Sequence, residues 1–507
     1  MKAILSSIFD ILVNIIENIC HFYRDNLTIG NILIKKRLGK SNLEVSCVGF
    51  GSYRISNKIE QHHHALEKAL KKGINLIDTS SNYADGESEI LIGNLISRLI
   101  STNEFRREDL IIVTKGGYIQ GQNLQLVNQR VEIGSPYNEI VICSPDLKHS
   151  INPEFLEDQI NLSLQRLKMD CIDVYLLHNP EYFLTYTKMN SLTDLRNEYY
   201  KRIETAFRFL EQKVDEGKIK WYGISSNTFG ANADKLNFTS LERVLEIAEN
   251  ISPKNHFAVV QFPLNAIEKV NASTKNQFDN TKTFLRLANE ANLGVLVNRP
   301  LNGIEHNQII RLADYEIKEN ISKDETIDLA SQIESIEKEI LILADKIEDG
   351  EIRKNVIDCL SIGNIIKSNF DRFDGVTHFS EVRNQFLIPR ANYSMQNLFE
   401  TFREDKSALN KINNYAVHVN ILLDSCESVL AKTANEENKK LHDKLNQYLD
   451  DSYHQLSLSQ KSVLMINSLS EISCTLVGMR KEEYVNDIIE ITDYKPQQKA
   501  YEYWGLD

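Results

Sequence analysis

The 507-residue chain has no CxxC pair, no surplus of basic charge and no uninterrupted apolar run long enough to span a membrane. Each absence removes a class of function. The seven cysteines, Cys20, Cys47, Cys143, Cys171, Cys359, Cys426 and Cys474, are scattered, and several sit in apolar strand-like runs where a thiol acts as a small hydrophobe. An odd, unpatterned set forms neither a zinc site nor a disulfide framework, and it suits a reducing, cytoplasmic compartment. A net charge of −13 offers no basic footprint to a phosphate backbone, which excludes nucleic acid as a partner.

The triplet His62-His63-His64 invites a metal reading. Neighbours on a helix point about 100° apart, however, so three in a row face different directions and no metal is expected. The apolar stretch from residue 3 to 23 is interrupted by Asp10, Asn14, Glu17 and Asn18. Carboxylates at that depth exclude a transmembrane span, and no small-residue cleavage site follows, which argues against a secretory signal. What remains over residues 1–28 is an amphipathic helix with Ile4, Ile8, Leu12, Ile15, Ile19 and Phe22 on one face. Its polar face carries acids and no lysine, so it is expected to pack against protein, this chain or a neighbouring subunit, and not on anionic lipid.

What the chain does have is alternation. Between residues 45 and 297, β-branched runs (VSCVGFG, INLID, LIIVTK, IDVYLLH, IKWYGIS, FAVVQF, LGVLV) alternate with longer amphipathic stretches. That is the βα pattern of a parallel sheet covered by helices. An eighth unit appears far downstream, where helical SLSQKSVLMINSLS precedes CTLVG and KEEYVNDIIE. Eight βα units close into a barrel whose active site lies at the C-terminal strand ends. The fold class is therefore α/β, a (β/α)₈ TIM barrel with a large helical insertion between strand seven and the last βα unit. Four residues able to move protons fall at that rim: Asp78, Tyr83, Lys115 and His178. Taken singly they are a turn cap, a packing residue, a solvated strand end and a core histidine. Delivered together, each after its own strand, they read as a site.

These segments resemble the aldo-keto reductase family. RLGKSNLEVSCVGFGSY matches its opening hairpin and first strand, and GINLIDTSSNYADGESEILIG matches its Asp and Tyr segment. VTKGG, LLHNPE, YGISSN and VVQFPLN follow in family order, and TLVGMRKEEYVNDI is similar to its last strand and cofactor-binding helix. The resemblance implies an NADPH-dependent oxidoreductase that reduces an aldehyde or ketone, with NADP(H) preferred over NAD(H). Tyr83 would be the general acid, Lys115 held by Asp78 would lower its pKa, and His178 would orient the carbonyl. Ser225 and Gln261 would hold the nicotinamide carboxamide; Ser225-Ser226-Asn227 departs from the family's Ser-Asn, which leaves Ser226 and Asn227 both as candidates. Gly478, Arg480 and Lys481, at the start of a helix, would seat the pyrophosphate or a 2′-phosphate. Where relatives place a stacking aromatic before Ser-Pro-Leu, this chain has Asn298 followed by Arg299, and Arg299 would meet phosphate or substrate.

The length exceeds what one core usually occupies. We divide the chain into the N-terminal helix (1–28), the first part of the barrel with its hairpin (29–310), a helical insertion (311–455) and the barrel completion with a C-terminal tail (456–507). The insertion shows apolar residues at heptad-like spacing in ETIDLASQIESIEKEILILADKIEDGEIRKNVIDCL. Its stripes serve its own core, a lid over the pocket, or a surface for self-association or a protein partner. The alternative function is thus a cofactor-binding regulatory or scaffold subunit with little turnover. The segment from Gly116 to Ser150 is expected to reach over the pocket, with Tyr118 and Tyr137 as wall candidates.

Overall fold

The computed structural model describes residues 33–305 and 308–506. The helix expected over residues 1–28 lies outside them. Eight parallel strands form a closed barrel: β1 (Val48–Gly51), β2 (Leu76–Asp78), β3 (Ile111–Gly116), β4 (Ile172–His178), β5 (Ile219–Ser225), β6 (Phe257–Pro263), β7 (Gly294–Asn298) and β8 (Cys474–Val477). These are the eight runs read from the sequence. The circle closes where β8 pairs with β7 at Leu296↔Cys474 and with β1 at Thr475↔Val48.

Side chains alternate across a strand with a period of two, and this fixes what the rim presents. Leu76, Val113, Leu176, Val259 and Leu296 belong to one buried apolar cluster in the barrel. Two positions further along the same strands stand Asp78, Lys115, His178, Gln261 and Asn298. Each polar rim residue thus sits on the inward face, one step above a packed aliphatic layer. At the opposite end, the hairpin of Lys35–Arg37 and Glu44–Ser46 adds Leu38 and Val45 to that cluster. Leu38 packs so closely on β7 that a Cβ at Gly294 would meet its Cδ1 at 2.5 Å.

Helices alternate with the strands, and their starts carry the expected caps. Asn152 accepts from Glu154 N–H ahead of Pro153–Leu167, and Ser191 accepts from Asp194 N–H ahead of Leu192–Asp215. Ser457 and Gln460 form a capping box on Leu458–Asn467, the helix that leads into β8. The triplet histidines open the helix Glu60–Lys71 with separate partners: His62 Nδ1 accepts from Ser56 N–H at 3.0 Å, while His63 Nε2 lies 2.9 Å from the Asn57 carbonyl. No cluster of metal-binding side chains occurs among the described residues. None of their helices is long and apolar enough to cross a membrane.

The chain divides into two compact units: one takes it up to Leu312 and again from Leu445 onward, and the other is Ala313–Lys444. The second unit is helical, with Lys323–Ala344, Gly350–Cys359, Ile362–Asn369, Val376–Val382 and Ile388–Thr401 followed by a helix of 41 residues, Lys406–Asn446, that begins in it. The heptad-like run is not one helix, because Asp349 caps a new one at Gly350. A π-turn at Arg383–Leu387 precedes Pro389, whose missing N–H cannot continue a regular ladder. Ile333, Ile340, Val356, Phe379, Leu398 and Leu423 are among its core residues. Within this core Glu337 accepts from Ile362 N–H at 2.7 Å and from the Tyr415 hydroxyl at 3.0 Å, which caps one helix from the side of another.

Candidate active site

The strand register sets the rim. Asp78 ends β2, Lys115 is the fifth residue of β3, and His178 and Ser225 stand side by side as partners at the ends of β4 and β5. Tyr83 follows β2 in a short turn, Tyr83–Gly86, where Ala84, Asp85 and Gly86 have φ of 47°, 56° and 87°. Two non-glycine residues in the left-handed region are costly unless the surroundings fix them. Asp85 Oδ1 accepts from Gln122 N–H at 2.8 Å, and a Cβ at Gly121 would sit 2.2 Å from that oxygen. The glycine permits the anchor that holds the Tyr83 turn.

Lys115 is fully buried, and its three ammonium protons are all used. They go to Asp78 Oδ2 at 2.7 Å, the Thr79 carbonyl at 2.8 Å and the Tyr83 hydroxyl at 3.1 Å. Burial works against that charge, but Asp78 and Tyr83 outweigh it and hold the Lys115 pKa above its ordinary value. Burial also pushes Asp78 upward, with Lys115 and Gln261 opposing it. We take the pair as ionised, because both carboxylate oxygens accept from N–H donors: Oδ2 from Lys115 and Oδ1 from Gln261 Nε2 at 2.7 Å. For Tyr83 the lowered pKa expected from Lys115 is not the net outcome. Burial raises the phenol above its ordinary value, and the ammonium only pulls back against that rise. The phenol is therefore a neutral proton carrier touching a cation. His178 is neutral too, driven well below its usual range by burial, Lys115 and His149.

A second group of polar residues runs on from Asp78. Ser225 Oγ donates to Gln261 Oε1 at 2.9 Å, and Asn298 Nδ2 donates to the same oxygen at 3.1 Å. The structure thus gathers Asp78, Tyr83, Lys115, His178, Ser225 and Gln261, and adds Asn298. Other sequence candidates are turned elsewhere. The Ser226 hydroxyl is buried with Thr228 and Thr239, and Asn227 gives its backbone N–H to Glu181 at 2.8 Å while its side chain is exposed. Arg299, at φ 51°, reaches Glu268 at 3.5 Å. Gly478 directly follows β8, and a Cβ there would have only the Gly51 carbonyl within 4 Å, at 3.9 Å; Arg480 and Lys481 lead into the helix Glu482–Ile489.

Tyr118 is brought to the mouth and Tyr137 is not. The Tyr118 ring meets His178 edge-on with centroids 4.6 Å apart, whereas Tyr137 packs on Phe155 in a small separate cluster. Sequence reading missed several neighbours. Tyr53 lies edge-on to Tyr83 at 5.1 Å, Tyr182 to Tyr118 at 5.2 Å, and Ser80 lies 3.0 Å from His178 Nδ1. The only signal for Ser80 was its place two residues after Asp78, on an irregular stretch where period two no longer applies.

An eight-stranded parallel barrel with an acid, a phenol, an amine and an imidazole joined at its C-terminal rim defines a class of proton-handling barrel proteins. Within it, this chain belongs to the aldo/keto reductase family, whose model matches residues 47–316. Among curated proteins it is similar to the uncharacterized oxidoreductase YqkF of Bacillus subtilis (strain 168), at 28% identity over 210 residues, covering 41% of this chain and 54% of that protein. It is also similar to the NADH-specific methylglyoxal reductase of Escherichia coli (strain K12), at 28% identity over 149 residues, covering 28% and 40%. The chain spans about half the length of the curated relatives it matches. Among solved structures, the aldo-keto reductase AKR11C1 from Bacillus halodurans in its holo form aligns over 93% of this chain and 95% of its own, at 14% identity and a TM-score of 0.46.

Proposed function

We propose that this protein is an NADP(H)-dependent oxidoreductase that reduces an aldehyde or ketone. One observation carries the reading: the buried Lys115 Nζ bridges buried Asp78 and the hydroxyl of the part-buried Tyr83. A carbonyl becomes an alcohol when carbon gains hydride and oxygen gains a proton, and Tyr83 is the group placed to give that proton. As the proton leaves, the phenolate that forms beside Lys115 is stabilised by a cation already in place, with no reorganisation needed. Asp78 keeps that cation oriented, and neutral His178 meets the substrate on the other side of the mouth.

The residues present fit a nicotinamide dinucleotide. The hydroxyl and amide groups of Ser225, Gln261 and Asn298 suit a carboxamide, and the uncrowded backbone at Gly478 with Arg480 and Lys481 at a helix start suits phosphates. When bound, that cofactor supplies the hydride. Two cations at the phosphate end support NADP(H) over NAD(H). Asn298 gives no aromatic face, so its contribution is the hydrogen bond to Gln261. Arg299 is engaged with Glu268, and a phosphate role would require that pair to open.

The test is NADPH oxidation with a panel of small aldehydes and ketones. Tyr83→Phe should lower kcat by roughly 10²- to 10⁴-fold while NADPH still binds, as read by its fluorescence. Turnover unchanged in that variant removes Tyr83 from the acid role. A second reading is favoured by the separately cored helical unit Ala313–Lys444: a regulatory or scaffold subunit that binds cofactor and a protein partner. Tight NADPH binding with no turnover across the panel would favour it.

A further inference from the structure

The helix Pro153–Leu167 carries Gln159, Ser163 and Arg166 four and three residues apart, a spacing that puts them on one face. That face meets the outer side of β3 and β4. Thr114 and Tyr175 pair in register there and point away from the barrel interior, each one residue off the inward row that includes Val113 and Leu176. A Cβ built on Gly116 would lie 3.5 Å from the Gln159 Cβ and 2.0 Å from the Tyr175 hydroxyl oxygen. Arg166 Nε donates to Glu89 Oε2 at 2.7 Å, and Glu89 Oε1 accepts from the Thr114 hydroxyl at 2.6 Å. The three helix residues and Tyr175 are thus gathered in one compartment behind the strand of Lys115.

Four polar atoms of this compartment are hidden from solvent and have no hydrogen-bond partner among the described residues: Gln159 Oε1, Ser163 Oγ, Arg166 Nη2 and Tyr175 Oη. Gln159, Ser163 and Tyr175 are fully buried. A buried polar group without a partner is costly and seldom tolerated, and here four stand together. The Gln159 amide is oriented by a chain of obligatory roles. The Tyr118 carbonyl can only accept, so Asn123 turns its Nδ2 there, at 3.2 Å, and its Oδ1 to Gln159, whose Nε2 donates at 3.1 Å. Gln159 Oε1 is therefore an acceptor that needs a donor. Arg166 Nη2 has only protons to give. Tyr175 keeps its proton, because burial pushes the phenol pKa up and Glu89 adds to that against Arg166. The Ser163 hydroxyl can give or accept.

An anion brings Gln159 Oε1 no proton, and a cation would lie against Arg166. Glu89 already balances the Arg166 charge. A water has two protons and two lone pairs, which answer all four groups. We propose that this compartment is a binding site for an internal water, which accepts from Arg166 Nη2 and the Tyr175 hydroxyl and donates to Gln159 Oε1 and Ser163 Oγ. The water ties the helix to the pair of strands that carries Lys115 and His178. It is held whether or not the rim turns over a carbonyl.

A crystal structure of the full chain, at a resolution that shows ordered solvent, should have a peak within hydrogen-bonding distance of all four atoms. No peak there, or four groups bonded to one another, overturns the proposal. So does anomalous signal at the site after a bromide soak, which marks a halide instead. In solution, ¹⁷O magnetic relaxation dispersion counts long-lived internal waters. Ser163→Val, whose methyl groups fill the space, should lower that count by one water; an unchanged count overturns the site. Tyr175→Phe gives a readout whose sign separates the two states. Removing a hydroxyl that lacks a partner relieves the fold, whereas removing one bonded to water takes a hydrogen bond with it. The urea midpoint of Tyr175→Phe should fall, and a midpoint that rises or stays in place means the hydroxyl is unbonded and the proposal fails.

Discussion

At the scale of single residues, Glu181 holds its proton under conditions where an ordinary carboxyl does not. It is buried beside the loop after β5, accepts from Asn227 N–H at 2.8 Å, and burial raises its pKa from 4.5 to about 7. The folded chain therefore binds a proton between those values that the unfolded chain has released. Stability present below pH 4.5 is lost as pH rises through 7, by up to about 3 kcal/mol. Urea midpoints of the native chain and Glu181→Gln measured from pH 4.5 to 7.5 check this by their difference, because the buried neutral His149 and His178 add the same opposing rise to both: relative to the variant, which cannot ionise, the native chain should lose stability as pH rises. Matching slopes would show that Glu181 is ionised in the fold. The same scale separates what sequence could show about the site. Asp78, Lys115 and His178 end apolar runs, so the strand pattern placed them, whereas Gln261 was legible only through the family resemblance. Ser80, Tyr53, Tyr182 and Glu181 sit on irregular backbone, where spacing carries no direction. The Tyr83 pKa was misjudged because its neighbour was visible in the sequence and its burial was not.

At the scale of elements, close backbone approaches set the helix positions around the barrel. The helix Glu87–Ser101 lies so near the end of Pro153–Leu167 that a Cβ at Gly93 would stand 2.3 Å from the Arg166 carbonyl oxygen. Alanine would gain about 1 kcal/mol of helix propensity there. A backbone oxygen cannot rotate away, however, and overpacking costs about 1–3 kcal/mol. Gly93→Ala should therefore lower the unfolding free energy obtained from urea titration, by up to about 2 kcal/mol net; a value unchanged or raised would mean the helices separate freely. All eight barrel strands were legible because β-branched runs flanked by amphipathic stretches are a strong pattern. The small sheet after β3, made of Tyr118–Ile119, Val141–Ser144 and Leu147–His149, was not. Strands of two to four residues are too short to show a period. The polar middle of the long helix Lys406–Asn446 interrupts its apolar stripe and hides its continuity from the sequence.

At the scale of the whole molecule, the helical unit and the barrel are packed around apolar clusters that share no residue. A cavity made in one need not weaken the other. Leu423 is fully buried in the helical unit, and Leu423→Ala should cost about 2–5 kcal/mol there. Scanning calorimetry should show one transition moved down and the other, identified as the one that NADPH raises, left in place. A single transition that moves as a whole would show that the two units unfold together.

The seam of the barrel has a consequence for how the protein is made. β7 ends at Asn298, and its partner β8 begins at Cys474. Chains leave the ribosome at about 5–20 residues per second, so the interval between them is on the order of ten seconds or more. Through that interval β1 and β7 expose unpaired edges, which are templates for pairing with other nascent chains. The helical unit is translated within the same interval. Until the final strand arrives, seven-eighths of a barrel must be kept from aggregation by something other than its own closure, and a ribosome that stalls before Cys474 leaves a chain with two adhesive edges.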